Sequence, residues 1–565
     1  MAVIAAMTAS CSSNEDLGTA GPGTGTNEAG VGYATFTINL PSVSGTRADA
    51  GGAEMNEGTA KEYAVSSATA LIFQKYGSDE GSCKFVESVD LPTAAADWTD
   101  DTTGGITTTS KKLVAKLTNV DTKNQYYVLV LLNNNKTGGV KVALPTVGQS
   151  YNEWNRQILT PSVDDLAADN DFYMANAPLK GTASASPTTL VTIDKKNIYP
   201  TKKKAEEGTS AATVYVERGV AKMSVTDPTT KTVIDKATNT PTPSTVEFNN
   251  WALDITNKKT YAVHNIDGLS TDFPAIWTTA RFTGTNNRVY WGTDPNYSLN
   301  NLNNTDNETD RQAEFNFINA TSKINKAFTE SAYCLENTFN LDNMYQGQTT
   351  RVIFKAKYTP KDGTGELADT DGTFYTIGNM TTILNTDKLK TAVDAVATPV
   401  LPTGYTIDYT NFKKEGSHVI ALEDIKDATG ATLVADKDYS GMTGTQIVKE
   451  INDRLGLKVG RPEEMVGINT YFKGVTYYIA RVKHFGSLTQ WNSGESYGTD
   501  NVKYLGRYGM LRNNWYDLTV GNVYGPGYPG VPPVDPNQPD DENEKYLSVS
   551  VKILSWAKRS DTVDL

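Results

Sequence analysis

The chain has 565 residues, of which 38% are hydrophobic and 21% charged, with a formal net charge of −13 and a pI near 5.0. This length predicts about two to four domains of roughly 100–200 residues each. The acidic balance argues against nucleic-acid binding, which needs a basic face, and no apolar run approaches the ~18–20 residues of a membrane-spanning helix. Abundant Thr, Asn, Gly and Tyr favour strands and turns over helix bundles.

The first residues, MAVIAAMTASC, form a short apolar stretch that ends in small residues and Cys11. A bacterial lipoprotein signal ends in the same way, with a cysteine that is acylated and becomes the new N-terminus. Thr8 stands where such signals usually carry Leu, and no basic residue precedes the stretch, so we expect the true start to lie upstream of Met1. The alternative interpretation is a disordered tail with an incidental cysteine. Residues 12–30 resemble a tether between a lipid anchor and a domain.

A strand is predicted directly after this tether. Apolar and polar residues alternate in the order Ala34, Thr35, Phe36, Thr37, Ile38, Asn39 and Leu40. This period of two is typical of a strand with one buried face. Pro41 ends the strand because proline cannot donate to a ladder.

A polar loop with a single basic residue follows this strand. Residues 42–58 carry small side chains on both sides of Arg47, and no other arginine occurs before Arg156. Proteases cut exposed loops of this kind. Cleavage of the Arg47–Ala48 bond would release a segment that contains both Cys11 and the predicted strand.

The chain ends in a second strand-like segment. Residues 525–545 are rich in Pro, Gly and acidic residues, which predicts a solvated spacer. Leu547, Val549, Val551 and Ile553 then alternate with polar residues. If the first strand fills a groove, its removal opens an edge that another chain's strand can enter, and four or five buried aliphatic side chains would contribute about 6–15 kcal/mol gross. The alternative is that both segments are ordinary terminal strands of their own domains.

The body of the chain reads mainly as strands with few helices. A lysine- and glutamate-rich stretch at 202–212 predicts a domain boundary, and periodicity predicts helices at 445–457 and, less regularly, at 312–328. Further strands are predicted at 68–76, 112–120, 125–133, 213–225, 350–360 and 474–485. Together these elements predict β-sandwich domains with loops and short helices.

No catalytic or metal-binding constellation stands out. The three histidines, His264, His418 and His484, are scattered and have no partner at ligand spacing. Asp369 and Asp371 predict an Asp-Gly turn better than a calcium loop, because the later acidic ligand is missing. Cys83 and Cys334 are expected to be isolated thiols. We therefore expect neither an enzyme nor a bound cofactor or metal.

Near the C-terminus a basic residue and Asn are followed by an aromatic pair, alternating strand residues and a Gly-rich turn, namely Arg512, Asn513, Trp515, Tyr516, Leu518, Val520, Gly525 and Gly527. This arrangement resembles the closing motif of the Bacteroidales fimbrillin (type V pilin) family. Residues 171–178 and 216–222 are also similar to family segments. By length and tail, the resemblance is greatest to the major shaft subunits of minor (short) fimbriae.

The resemblance implies an all-β fold with two transthyretin-like β-sandwich domains and a C-terminal donor-strand extension. Residues 1–11 would be a partial lipoprotein signal and 12–47 a tether and first strand removed on maturation. Residues 48–212 would form the N-terminal sandwich, 213–525 the C-terminal sandwich, and 526–565 the linker and donor strand.

The resemblance also implies a life cycle. Cys11 would carry the lipid, including palmitate, of an outer-membrane precursor, and an Arg-specific protease would cut between Arg47 and Ala48. The lost strand would contain Ala34, Phe36, Ile38 and Leu40. The donor strand would insert Leu547, Val549, Val551, Ile553 and Trp556 into a neighbouring copy. The product would be a homopolymeric fimbrial (pilus) shaft at the cell surface that supports adhesion, biofilm formation and virulence, with accessory tip and anchor subunits and host or bacterial surface receptors as partners.

Two other functions remain open from the sequence. A surface lipoprotein could bind glycans through its 29 Tyr and 8 Trp, but such a protein has no use for a loop that sheds its anchor. A tip or anchor subunit of the same fimbrial system is the other alternative. A tip subunit need not donate a strand, so the long extension after Tyr516 favours the shaft.

Overall fold

The computed structural model describes residues 25–40, 55–56, 58–93, 99–103, 106–121, 123–179, 186–272, 289, 291–299, 302, 307–378, 380–458, 467–484, 505–534, 536–540 and 547–556. Strands dominate these residues and the helices are few and short, so the predicted all-β class is confirmed. The transthyretin-like topology stays a prediction. None of the helices within these ranges is long and apolar enough to cross a membrane.

The first large sheet is built from the N-terminal part of the chain. Its strands lie in the spatial order Lys84–Leu91, Ala68–Gln74, Tyr126–Leu132, Met174–Asn176, Ala212–Arg218, Gly32–Asn39, Ile106–Leu117 and Thr99–Thr103. Val191–Thr192 pairs with Tyr126–Leu132, and Ile198–Tyr199 pairs with Gly32–Asn39. Strands that are far apart in this order meet in space. The Glu87 carboxylate on Lys84–Leu91 accepts hydrogen bonds from the backbone N–H groups of Thr118 and Asn119, which follow Ile106–Leu117, at 3.1 and 3.0 Å. One hydrophobic core fills the enclosed space.

The second large sheet is built from the C-terminal part of the chain and has its own core. Its strands lie in the order Met55–Asn56, Leu547–Trp556, Asn514–Val523, Thr230–Asp235, Thr240–Asp254, Arg351–Thr359 and Val475–Arg481. Ala221–Val225 pairs in parallel with Asn514–Val523 and antiparallel with Ala332–Cys334. Each core contains one buried free thiol, Cys83 in the first and Cys334 in the second.

The chain crosses from one sheet to the other at Gly219 and Val220. Ala212–Arg218 belongs to the first sheet and Ala221–Val225 to the second. The predicted single strand at 213–225 is therefore two strands, and the chain leaves the first sheet a few residues after the predicted domain boundary at residue 212. A Cβ atom at Gly219 would lie 2.7 Å from the Tyr173 ring, so the crossing needs a residue without a side chain.

A smaller unit, residues 374–471, is inserted between strands of the second sheet. Its three-stranded sheet, Phe374–Ile377, Ile468–Tyr471 and Gly416–His418, packs with the helices Thr386–Ala397 and Gly444–Leu455 around a separate core. The second helix confirms the prediction at 445–457. Thr443 and Gln446 form its capping box, and Gly456 ends it with φ +70°. The first helix was not predicted.

The helix predicted at 312–328 is wrong for most of its length. The helix present is Glu308–Glu314, after which Phe315–Asn316 is extended and pairs with Thr256–Asn257. The Ile318 N–H donates to Asp254 Oδ1 at 2.7 Å, so it does not donate to a carbonyl within an α-helix. Tertiary pairing has overridden a weak local propensity.

Short helices, 3-10 turns and short strands lie within the three units and in the connections between them. The remaining α-helices are Ala60–Tyr63, Tyr151–Asn155, Val163–Leu166, Lys202–Glu207 and Leu269–Asp272, and the 3-10 turns are Glu80–Ser82, Lys195–Asn197, Thr321–Lys323, Leu341–Asn343, Tyr409–Phe412, Leu422–Asp424 and Phe472–Gly474. The remaining short strands are Asn135–Lys136, Gly139–Val140, Ala167–Ala168, Asp171–Phe172, Lys361–Asp362, Gly365–Glu366, Tyr405–Ile407 and Ile425–Asp427. Asp369 and Asp371 lie in the predicted turn, since the Gly372 N–H donates to Asp369 O at 2.8 Å.

The spacer before the C-terminal strand packs on the second sheet, so the prediction that it is solvated is wrong for its described residues. Tyr528 exchanges both backbone hydrogen bonds with Tyr477, at 2.8 and 2.9 Å. Arg351 donates to the carbonyls of Pro532 and Pro533 at 2.7 and 3.2 Å. Proline carbonyls accept hydrogen bonds as other backbone carbonyls do. The composition of the spacer therefore does not show whether its carbonyls are paired with donors elsewhere in the chain.

Candidate functional site

The strand Gly32–Asn39, called the first strand below, lies in the interior of its sheet. On one side it pairs antiparallel with Ile106–Leu117 over its whole length. On the other side it pairs in parallel with Ala212–Arg218, from Phe36 opposite Ala212 to Asn39 opposite Tyr215. We call the space between these two neighbours the slot. An interior strand whose two neighbours are contributed by later parts of the chain can leave without cutting either of them.

The core face of the first strand is fully buried. Ala34, Phe36 and Ile38 are 0% exposed and Leu40 is 4% exposed. All four belong to the first hydrophobic core. Burial of Phe36, Ile38 and Leu40 contributes about 5–9 kcal/mol gross at ~1.5–3 kcal/mol for each side chain.

The opposite face of the first strand is covered as well, so the expectation of a strand with one buried face is wrong. Thr35 is 1% exposed and its hydroxyl donates to Ala205 O at 2.6 Å. The Thr37 hydroxyl lies 2.6 Å from Ser210 Oγ, and Asn39 Nδ2 donates to Val214 O at 3.2 Å. These short polar side chains fit beneath residues 202–214, the polar stretch that the sequence assigned to a domain boundary.

Loss of the first strand would change the sheet on three sides. It would leave a core-lined channel, uncover carbonyl and hydroxyl partners beneath residues 202–214, and unpair the facing edges of Ile106–Leu117 and Ala212–Arg218. Unpaired edges of this kind accept another strand. The slot therefore has the chemistry of a strand-binding site once it is empty.

The residues that connect the first strand to the rest of the chain lie mostly outside the described ranges. Arg47 and Ala48 are among them, and Cys11, which precedes the strand, also lies outside the described ranges. The chain is described again at Met55–Asn56, which pair in parallel with Ser555 and Trp556. The N-terminal segment thus reaches the second sheet and lies beside the C-terminal strand.

The C-terminal strand Leu547–Trp556, called the tail strand below, pairs with its own chain. Its partner is Asn514–Val523, antiparallel, with Leu547 opposite Val523, Val549 opposite Val520, Val551 opposite Leu518 and Ile553 opposite Tyr516. The predicted donor residues therefore form one strand as expected, and Trp556 ends it. In this state the strand is not detached from the body of the chain.

The motif around Arg512 forms the joint between the two sheets. Arg512 Nε lies 3.2 Å from Glu336 Oε2, and the two side chains are 3% and 0% exposed, respectively. Asn513 has φ +58°, a left-handed conformation that Asn tolerates. Asn513 Oδ1 accepts from the Arg218 N–H at 3.1 Å, and the Asn513 N–H donates to Val220 O at 2.9 Å. The motif thereby fixes the residues at which the chain crosses from one sheet to the other.

The two aromatic residues of the motif lie on different sides of the joint, with Trp515 packed against the first core and Tyr516 within the second. Trp515 Nε1 donates to Ser224 Oγ at 2.7 Å, and Lys222 Nζ lies 3.6 Å from the centre of its ring. The Tyr516 hydroxyl accepts from the Leu511 N–H at 2.9 Å and lies 2.7 Å from His484 Nδ1. Trp515 and Tyr516 are neighbours of the tail strand, so the joint and the parked tail share one strand.

A buried ion pair connects the helix Ala60–Tyr63, downstream of Arg47, to the same joint. Glu62 Oε1 lies 2.7 Å from Lys222 Nζ, with side chains 3% and 4% exposed, and accepts from the Tyr333 hydroxyl at 2.6 Å. Burial raises the pKa of Glu62, but the hydrogen bonds from Lys222 and Tyr333 outweigh it and the pKa lies below its usual value. Arg218 Nε also donates to the Glu62 carbonyl at 2.8 Å. Sequence reasoning missed this contact, although Arg218 and Lys222 lie in the family-like segment 216–222.

Replacement of Glu62 by Gln is expected to destabilise the folded chain by about 3–5 kcal/mol, because Lys222 would stay buried without its counter-charge. The matched control is Lys61→Ala, which removes an exposed pair with Asp169 and is expected to cost under about 1 kcal/mol. Since the pKa of Glu62 is lowered on folding, its contribution is present above pH 4.5 and is lost as the pH falls through the folded value. Denaturant unfolding measured against pH should show a smaller acid loss of stability in Glu62→Gln than in the original chain, and the difference between the two is the contribution of Glu62.

The remaining candidate residues do not gather into a chemical site. His264 Nδ1 lies 2.9 Å from Glu217 Oε1 within the joint, and His418 lies in the inserted unit. In the part of the chain that the structure describes, no group of three His, Cys, Asp or Glu side chains is placed to hold a metal. The slot and the tail strand are the features that carry a functional argument.

Comparison with known proteins bears on the C-terminal part of the chain. Residues 469–562 match the family model for the C-terminal region of fimbrillin, the major fimbrial subunit protein type IV. This match supports a relationship between the C-terminal part of the chain and the fimbrillin family. The matched residues include the motif, its strand Asn514–Val523 and the tail strand. No curated protein matches the chain.

Solved structures with related descriptions are only distantly similar. A candidate cell adhesion protein of Parabacteroides distasonis is 9% identical with a TM-score of 0.36, covering 94% of this chain and 98% of that one. A fimbrial assembly protein of the same organism is 10% identical with a TM-score of 0.27, covering 59% and 83%. A candidate cell adhesion protein of Bacteroides eggerthii is 11% identical with a TM-score of 0.32, covering 95% and 98%. With TM-scores this low, these likenesses decide neither fold nor function.

Proposed function

We propose that the chain is a structural subunit of a surface fimbria, a shaft subunit of the short-fimbria type, that polymerises by strand exchange. The observation that carries the proposal is the position of the first strand, which lies in the sheet interior and is joined to the rest of the chain through the loop containing Arg47. The fimbrillin match at residues 469–562 supports the same function. The protein acts by assembly and supports adhesion and biofilm formation.

Maturation has three steps in this proposal. The precursor reaches the outer membrane as a lipoprotein acylated on Cys11, with the first strand in its slot and the tail strand parked on Asn514–Val523. An Arg-specific protease cuts between Arg47 and Ala48, and the segment that contains Ala34, Phe36, Ile38 and Leu40 leaves. The tail strand of another copy then fills the slot.

The parked tail fits this order of events. Its pairing with Asn514–Val523 satisfies one of its two edges in the single chain, and Met55–Asn56 cover the end of the other, which limits early association through an unpaired strand. After the cut, exchange replaces one set of ladder hydrogen bonds by another. The net gain comes from filling an apolar slot that would otherwise stand open to water.

A competition experiment with a soluble tail tests this function. The full chain is treated with an Arg-specific protease in the presence of excess synthetic peptide of residues 546–556, and fibres are measured by electron microscopy and light scattering. We expect the peptide to occupy slots and shorten fibres in proportion to its concentration. The matched control peptide carries Val549→Asp and Val551→Asp and should leave fibre length unchanged. Fibres that grow to full length at saturating natural peptide would contradict strand exchange.

A further inference from the structure

We propose that the incoming tail strand occupies the slot in the same direction as the first strand, with Leu547 at the position of Ala34 and Ile553 at the position of Leu40. This inference rests on the proposed function and specifies the geometry of the contact between copies. Seven residues of the tail then replace seven residues of the first strand one for one.

The core face of the slot selects this alignment. Leu547, Val549, Val551 and Ile553 take the places of Ala34, Phe36, Ile38 and Leu40, all four of which are buried. The exchange adds volume at position 34 and removes the ring at position 36. These two positions are neighbours on one face of a strand. The volume gained at position 34 and the volume lost at position 36 therefore offset each other within the same part of the core.

The opposite face selects the same alignment independently. Ser548 takes the place of Thr35, and Ser550 takes the place of Thr37. A serine hydroxyl can donate to Ala205 O as Thr35 does, and can pair with Ser210 as Thr37 does. Both buried hydrogen bonds beneath residues 202–214 are therefore restored in the polymer.

The last polar position of the slot accepts a lysine. Lys552 takes the place of Asn39, whose Nδ2 donates to Val214 O at 3.2 Å. A lysine ammonium is also a donor, and its long stem can carry the charge beyond the end of the strand. Each polar residue within 547–553 thus meets a hydrogen-bonding partner that the first strand already uses.

Alignments shifted by one side-chain repeat fit worse on both faces. Moving the tail forward puts Lys552 at the site of Thr37 and Ser555 at the buried site of Leu40. Moving it back puts Lys545 at the site of Ala34, which is 0% exposed, and Tyr546 at the site of Thr35, which is 1% exposed. Each shift buries a polar group in an apolar place or overfills the space beneath residues 202–214.

Reversal of the strand fits worse as well. In the reversed direction, with the apolar residues still facing the core, Lys552 falls at the site of Thr35. That site is 1% exposed and lies in the body of the strand, where a lysine has no route to solvent. The same direction as the first strand, antiparallel to Ile106–Leu117, therefore keeps the one charged residue of the tail at the end of the slot.

The alignment names one cross-strand pair that can be tested. Asn39 lies opposite Ser110, a half-buried residue of Ile106–Leu117. Lys552 of the incoming copy should therefore lie opposite Ser110, whereas a reversed strand would place Ser548 there. A disulfide requires Cα atoms about 4.4–6.8 Å apart, which directly opposite residues satisfy and diagonal neighbours at ~7–8 Å do not.

The experiment compares four double-cysteine full-length chains, each processed with an Arg-specific protease and assembled under reducing conditions before mild oxidation. Ser110→Cys with Lys552→Cys represents the proposed alignment. Ser110→Cys with Ser550→Cys and with Leu554→Cys represent the two shifts, and Ser110→Cys with Ser548→Cys represents the reversed strand. Cys83 and Cys334 are buried, and Cys11 leaves with the released segment, so the native thiols give little background. Single-cysteine chains are the controls, and fibres are checked by electron microscopy before oxidation.

We expect the Lys552 pair to link most subunits into covalent ladders on non-reducing gels, with the other three pairs at the level of the single-cysteine controls. A ladder from one of the other pairs instead would overturn the alignment while leaving strand exchange in place. Fibres in which none of the four pairs links would show that residues 548–554 do not lie beside Ser110, which overturns the alignment. If the peptide of residues 546–556 also fails to shorten those fibres, the proposed function is overturned as well.

Discussion

Arg47→Ala is expected to abolish fibre formation and leave a monomeric precursor that keeps its N-terminal segment. The first strand fills the slot on both faces and pairs along both edges, so a second strand cannot enter while it is present. Because the burial of its core face alone contributes several kcal/mol, about 5–9 by area-based estimates, the strand does not vacate the slot at a useful rate while its segment remains covalently attached. Size-exclusion chromatography and electron microscopy after protease treatment measure the outcome.

Arg47→Lys separates the cut itself from any other role of the arginine. This variant should stay monomeric with an Arg-specific protease and should polymerise after limited trypsin treatment, because trypsin also cuts after lysine. Arg156→Ala is the control for a general effect of losing an arginine, since Arg156 forms an exposed pair with Asp267 and should not matter for assembly. Normal fibres from Arg47→Ala would show that strand removal is not the trigger.

Truncation after residue 546 is expected to eliminate fibres altogether, whereas truncation after residue 556 should leave them intact. The shorter chain lacks the whole tail strand, Leu547–Trp556, and the longer one keeps it. Both chains retain a slot. The truncated subunit should therefore also cap fibres of the full-length chain when the two are mixed, so that mean fibre length falls at a substoichiometric ratio.

The same pair of truncations decides how much of the C-terminus takes part. Loss of fibres after both truncations would assign a role to residues 557–565 as well, and undiminished fibres after the shorter truncation would exclude the tail as donor. Thermal unfolding of the processed monomers is the companion measurement. We expect a small loss of stability on removal of the tail, because its pairing with Asn514–Val523 is lost.

The juxtaposition of the two termini suggests why one cut can act on both ends of the chain. Met55–Asn56, downstream of Arg47, pair with the last residues of the tail strand. Glu62, a few residues later, is held by Lys222 in the joint beside Trp515. The stretch just downstream of the cut and the strand that must move are therefore anchored to neighbouring parts of one sheet.

Local pattern predicted the strands well because a period of two leaves a clear signal. Ala34, Phe36, Ile38 and Leu40 all face the first core as predicted. The second covered face was missed because Thr35 and Asn39 look like solvent-facing residues until residues 202–214 are folded over them. Burial of a polar residue depends on distant partners that a local pattern does not contain.

The joint between the sheets was beyond sequence reasoning for a similar reason. Arg512 and Asn513 could be recognised as members of a motif, but not as groups that bind Glu336 and the Arg218 backbone. These contacts join residues that are far apart in the chain. The helix expected at 312–328 failed likewise, because Asp254 and Thr256–Asn257 capture the backbone that would have formed it.

The most direct test of strand exchange is a cryo-electron microscopy map of assembled fibres, read at the slot between Ile106–Leu117 and Ala212–Arg218. The account predicts a strand in that slot whose density continues into the spacer of the neighbouring subunit, with no density for residues 32–39. A slot that still holds residues 32–39, or a tail that remains paired with Asn514–Val523 of its own chain, would contradict it.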